Sequence, residues 1–274
     1  MTAGTAVGSG VAGPQRFARA RRRAKVTLYS ALVLVVTLGV WEAIAAAGLV
    51  HRIILPPPSA VLVALVELVT WELFPYHVGI TLYELLMGFF IGSTIGIVLG
   101  VVLASIPITR AVLYPYIVAF QALPKVALAP IFVTWFGFGL ESKIVMAVTI
   151  CFFPVVVNTL VGLTTVDESA MKLMRSLTAT RYQIFVKLLV PGAMPMIMAG
   201  LKTSLTFATI GAIVGEFIGG KEGLGYLIHV FNFQMSIPTV FAVIVFLAVL
   251  STALYLIIEL VDRRVVFWVD REQR

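Results

Sequence analysis

Charged side chains are scarce in this chain. Asp, Glu, Lys and Arg make up 12% of its 274 residues, against about a quarter in soluble domains. With 60% hydrophobic residues and a mean hydropathy of +1.05, a soluble globular domain is excluded and the class is integral membrane protein, with the lipid bilayer as solvent. Cysteine is nearly absent: Cys151 is the single one, so no intrachain disulfide can form. Histidine is limited to His51, His77 and His229. They are far apart, fall at outer loops or their edges, and read as ordinary surface residues, not as a metal or hydrolytic centre. A nucleotide site is also missing. Residues 215–221 read G-E-F-I-G-G-K, but Glu222 stands where a phosphate-binding loop needs Ser or Thr, and no soluble strand precedes it. The chain is therefore read as no enzyme, binding no cofactor itself, and any ATP it depends on must be used by another polypeptide.

What the chain does contain is long apolar runs. About 20 mostly apolar residues are needed to cross a bilayer, and six segments qualify: 27–47, 79–104, 111–136, 142–163, 195–217 and 239–261. The expected architecture is an all-α membrane domain over 26–262. A disordered basic tail (1–25) precedes it and a short tail (263–274) follows. The first apolar run slightly exceeds the core of a signal peptide and more spans follow it, so it reads as an uncleaved span. The basic residues set the orientation. Placing both termini in the cytoplasm puts 15 of the 20 Lys and Arg on that side, as the positive-inside rule requires. The formal charge of +7 is thus topogenic and does not indicate nucleic acid. Outer segments are expected at 53–68, an apolar helix after a proline run, and at 219–238, a glycine-punctuated loop or re-entrant turn.

Within the spans, Gly88, Gly92, Gly96 and Gly100 recur every fourth residue and line one helical face, where another backbone can approach closely. Ionisable groups at membrane depth are Glu84, Lys125 and Glu216, candidates for a translocation path. Lys125 sits between Pro124 and Pro130, which loosen its helix. Glu84 and Glu216 lie near the outer boundary, where an interfacial structural role competes. These three charges, on three spans, do not read as a proton relay, and Lys143 is assigned to an outer loop.

One interruption stands out. Residues 167–191 carry Lys172, Arg175, Arg181 and Lys187 around an apolar stripe of Leu173, Leu177, Ile184 and Leu188. The Leu177-Thr178-Ala179-Thr180 run weakens the middle, and a Thr can cap the next helix. Two short helices with a bend are expected. Such a segment either lies on anionic lipid or inserts into a groove on a soluble partner.

RSLTATRYQIFVKLLVPGAMPMIMAGLK (175–202) resembles the cytoplasmic coupling loop of bacterial ABC-importer permeases, of the nitrate/sulfonate/taurine type. The resemblance continues through WEAIAAAGLVHRIILPPPSAV (41–61), TLYELLMGFFIGSTIGIVLG (81–100), LPKVALAPIFVTWFGFG (123–139) and GEFIGGKEGLGYLI (215–228). It implies the type I ABC-importer permease fold in a bacterial inner membrane. The implied assembly is a homodimer seated on two copies of a cytoplasmic ATPase and supplied by an extracytoplasmic binding protein. It further implies that the coupling loop (165–191) meets the ATPase through Leu177, Thr178, Ala179, Thr180, Arg181, Gln183 and Phe185. The solute would be a sulfonate- or nitrate-like anion or a vitamin precursor. Three departures are visible. Thr178 replaces the family's glycine, and Val190-Pro191 replaces Leu-Pro. Glu84 stands where many relatives carry arginine, which argues against assuming an anion. Glu168-Ser169-Ala170 looks like the loop's name-giving triplet, but counting back from Pro191 puts that register on Lys172-Leu173-Met174. The alternative reading is a self-sufficient carrier or channel, which would show paired intramembrane charges.

Overall fold

The structure, a computed structural model, describes residues 13–51 and 53–268, with side chains described from Lys25 onward. All regular structure among them is helical. The expected tail (1–25) lies outside the described residues as far as position 12. From Gly13 the backbone is already helical, so α1 (Gly13–Ala46) begins inside the stretch expected to be disordered, as its Ala- and Arg-rich sequence favours.

The chain divides after Val63 into two compact units. In the first, α1 ends near the start of α2 (Pro58–Thr70), and Glu42 joins the two. One Glu42 oxygen accepts the Ser59 N–H at 3.0 Å and the other its hydroxyl at 2.8 Å. A carboxylate there occupies an otherwise orphan donor of the α2 N-terminus.

The second unit is built around α6 (Leu140–Thr164). The glycines of α3 (Phe74–Ser105) meet a matching row on α6. Gly88 abuts Ala147, Gly92 abuts Cys151, Gly96 abuts Val155 and Gly100 abuts Thr159. A Cβ on Gly96 would sit 2.7 Å from the Val155 Cβ and 2.9 Å from the Phe152 carbonyl. Bilayer helices gain nothing from hiding apolar surface from one another, so close backbone packing of this kind holds them together. On the other flank, α9 (Val190–Gly219) brings Gly200 against Asn158 and Gly211 against Ala147. Ala147 is therefore held between a glycine of α3 and one of α9. Ser204 of α9 donates to the Cys151 carbonyl at 2.8 Å, and Cys151 is fully buried.

Among the described residues five helices are long and apolar enough to cross a membrane, and there are six if a bent pair counts as one span. That pair replaces the straight 111–136 span expected from hydropathy. α4 (Pro107–Ala122) and α5 (Ala129–Phe136) meet at 84°, joined by a 3₁₀ turn, Lys125–Leu128. The break follows from Pro124: the residue before a proline is pushed out of the helical region, and Leu123 has φ −64° and ψ 140°.

The basic segment forms α7 (Glu168–Ser176) and α8 (Arg181–Ile184) around a turn at Thr178. α8 runs through one wide π turn, Phe185–Leu189, directly into α9, making a single helix of 39 residues, Arg181–Gly219. Pro191, which lacks an N–H and crowds the carbonyl four residues back, accounts for the widened turn. The expected outer loop 219–238 instead contains a further helix, α10 (Leu224–Phe233), before α11 (Ile237–Val265).

Candidate functional site

At the end of α3 opposite the basic segment, three residues at helical spacing share a face: His77, Thr81 and Glu84. All are buried. The face continues the line of the glycine stripe. Facing it is the last turn of α9, where Glu216 is 0% exposed. Glu216 Oε1 accepts the Thr81 hydroxyl at 2.6 Å and Oε2 accepts the Gly225 N–H at 2.6 Å. Thr81 Oγ1 accepts the Leu224 N–H at 2.8 Å, and His77 Nδ1 accepts the Gly223 N–H at 3.1 Å. Three consecutive backbone donors at the start of α10, which a helix leaves without internal partners, are thus bound by side chains of α3 and α9. This clasp is possible because of Gly223. Its φ of +100° and ψ of 173° belong to a region that only glycine enters without strain, and any Cβ there would collide with the Glu216 carboxyl.

Lys143 completes the cluster. It lies in the first turn of α6, 3% exposed, and donates to the carbonyls of Phe138 and Gly139 at 2.5 and 2.7 Å. Its charge interacts with both Glu84 and Glu216, which lie within hydrogen-bonding reach of each other. Three expectations are corrected here. Lys143 is in a buried helical turn, not an outer loop. His77 is a buried acceptor, not a surface histidine. Glu84 and Glu216 converge on a shared lysine instead of being scattered, because α6 lies between the helices that carry them. A polar face at 77, 81 and 84, leading into a glycine stripe, was the one local signal of this convergence. Lys125 is not part of it. It sits on the α4–α5 break, half-buried, donating to the Gln121 carbonyl at 3.2 Å and lying 4.6 Å from the Phe153 ring centre.

The second candidate surface is the turn at Thr178. The Ala179 N–H reaches the Met174 carbonyl at 3.1 Å and the Thr178 N–H reaches that of Arg175 at 3.0 Å, the paired bonds of a Schellman ending. Thr178 takes the left-handed position with φ 56°. Thr180 then caps α8 in a capping box: the Gln183 N–H donates to Thr180 Oγ1 at 3.3 Å, and the Thr180 N–H to Gln183 Oε1 at 2.8 Å. This well-defined turn presents large apolar groups to solvent, with Leu177 66% and Tyr182 76% exposed. Tyr182 was not among the residues expected there. Phe185 faces the other way, packing with Leu189 and Val190 against the buried cluster of Leu163, Ala193 and Ile197.

Comparison with known proteins bears on the chain as a whole. A family described as "Binding-protein-dependent transport system inner membrane component" matches residues 92–267. The chain is 35% identical over 236 residues to a probable ABC transporter permease protein of Haemophilus influenzae, covering 86% of this chain and 96% of that one. It is 33% identical to the formylaminopyrimidine transport permease protein ThiX of Halalkalibacterium halodurans, covering 90% and 98%. To the putative aliphatic sulfonates transport permease protein SsuC of Bacillus subtilis it is 31% identical, covering 86% of each. In fold it resembles an inward-facing structure of the MetNI methionine ABC transporter, with a TM-score of 0.62 at 22% identity over 70% of this chain and 96% of that one.

Proposed function

The chain belongs to the binding-protein-dependent transport system inner membrane component family and is a multi-pass permease of the ABC-importer class; we propose that it forms the solute path of a bacterial inner-membrane importer in which a separate ATPase supplies the energy. In this reading two ATPase copies dock on a homodimer of the chain, and an extracytoplasmic binding protein delivers the solute. The observation that carries the proposal is the turn at Thr178. A Schellman ending and a capping box hold a short stretch rigid, yet Leu177 and Tyr182 stand out in water. Exposed apolar groups on an ordered, basic turn suit a partner's groove better than a lipid surface, which does not need so fixed a shape. Leu177, Arg181 and Tyr182 form the docking face, Thr178, Ala179, Thr180 and Gln183 shape it, and Phe185 anchors its root in the core.

A self-sufficient carrier would show paired charges, and Glu84, Lys143 and Glu216 are such a group. Of the three, Glu216 is bonded into the turn that starts α10 and Lys143 into the turn before α6, however, and the family membership favours the importer. The test is co-purification of an ABC-type ATPase with the tagged chain from solubilised membranes. Arg181→Glu and Tyr182→Ala should each reduce ATPase recovery at least about five-fold, with membrane insertion unchanged. Recovery equal to the wild type for both variants would refute the coupling role.

A further inference from the structure

One ionisable group at membrane depth belongs to neither the clasp nor the docking turn. Lys125 stands in the 3₁₀ turn between α4 and α5. That break leaves the carbonyls of the last α4 turn without helical partners, and the Lys125 ammonium takes one of them, that of Gln121, at 3.2 Å. Its other two N–H donors have no acceptor among the described residues. The ammonium lies 4.6 Å from the centre of the Phe153 ring, and Phe153 is a wall of a cleft of about 550 Å³ between α3, α4 and α6. Thr149, Phe152 and Phe153 are in the middle of α6, so the cleft lies at membrane depth. Its volume is within the range of small-ligand sites.

The lining selects a chemistry by its charge. Among the described residues Lys125 is the one charged side chain bordering the cleft, and no carboxylate pairs with it. Lys143 and Lys202 differ: the first shares the field of Glu84 and Glu216, and the second is bonded to Glu259 and Asp262. An unpaired ammonium at membrane depth is costly, and a ring face answers only part of its charge. Apart from Tyr116 and Thr149 the other walls are leucine, isoleucine and phenylalanine, and the Thr149 hydroxyl already donates to the Val145 carbonyl at 2.8 Å. A cation would be repelled, a neutral molecule would leave the charge unanswered, and an inorganic anion would gain nothing from the apolar walls. We propose that this cleft binds an organic oxyanion, a carboxylate or sulfonate on a compact apolar body, with its head on the Lys125 ammonium and its body among Phe120, Phe152 and Phe153. Glu84, the carboxylate that argues against assuming an anion, belongs to the clasp and not to this lining. The meaning of the cleft as a solute-holding point rests on the permease reading, whereas the binding itself does not.

The test uses the full-length chain in lipid nanodiscs, with saturation-transfer NMR titrations of benzoate, benzylamine and benzyl alcohol, three probes alike in body and different in head. Empty nanodiscs give the background from lipid. The wild type should bind benzoate about ten-fold more tightly than either of the others, the ratio that one hydrogen bond to a charged group supports. Lys125→Met should abolish this preference and Lys125→Arg should retain it. Leu113→Trp, which fills the cleft without removing the ammonium, should weaken benzoate binding by a similar factor and decides the matter if Lys125→Met is not monodisperse. Equal binding of benzoate and benzylamine would overturn the proposal, as would a benzoate signal no greater than that of empty nanodiscs. A benzoate affinity that Lys125→Met and Leu113→Trp both leave unchanged would do so too. Complete displacement by equimolar sodium sulfate would also overturn it, marking a site for the charge alone. A failure of the permease reading would appear elsewhere, as no ATPase association in the wild type, and would leave the probe result standing.

Discussion

Thr178 is the residue at which this chain departs most clearly from conformational preference. A β-branched side chain in the left-handed region is strained, and glycine is the usual occupant of that position in a Schellman ending. Its hydroxyl offsets part of the cost by donating to the Leu177 carbonyl at 2.7 Å, which the end of α7 leaves free. Thr178→Gly, the residue the family pattern carries there, should therefore stabilise the turn by about 1 kcal/mol. Thermal unfolding of the purified protein checks this, with a rise in Tm expected; an unchanged or lower Tm would show that the hydroxyl bond outweighs the strain.

Among the elements, α6 sets the packing and its neighbours conform to it. Gly96 faces Val155 with no space for a Cβ, and overpacking of such a contact costs about 1–3 kcal/mol or more. Gly96→Leu should thus sharply lower the yield of monodisperse protein, whereas Gly79→Leu, on the same helix but with nothing within 4 Å of its Cβ position, should be tolerated. Equal yields of the two would contradict the close approach of α3 to α6. This stripe was legible in the sequence because a four-residue repeat already specifies one helical face. The spans and the bend at Thr178 were legible for similar reasons, since hydropathy and capping chemistry are local. The clasp was not. Thr81, Lys143 and Glu216 come from distant parts of the chain, and only the stacking of α3, α6 and α9 brings them together. Lys143 beside Glu141 has the look of an outer loop until Phe138 and Gly139 fold back to supply its acceptors. The 84° break was half legible, since Pro124 announced a weak point but not its angle.

For the whole molecule, sidedness is testable because the lone native thiol, Cys151, is fully buried and should give no background labelling. With both termini cytoplasmic, Glu72→Cys should react with a membrane-impermeant maleimide in intact cells, and Ser169→Cys only after permeabilisation. The reverse pattern would invert the topology.

The unbroken helix from Arg181 to Gly219 then acquires a mechanical meaning. At 1.5 Å per residue it is about 58 Å long. Its first residue belongs to the proposed docking face, and its last turn carries Glu216 of the clasp. Between them Gly200 and Gly211 rest on α6, so the helix resembles a rocker arm with its fulcrum near mid-length. A tilt of roughly 10° about that point displaces each end by about 5 Å, close to one helical pitch. On the importer reading, a push on the turn at Thr178 would reach the start of α10 along one continuous helix.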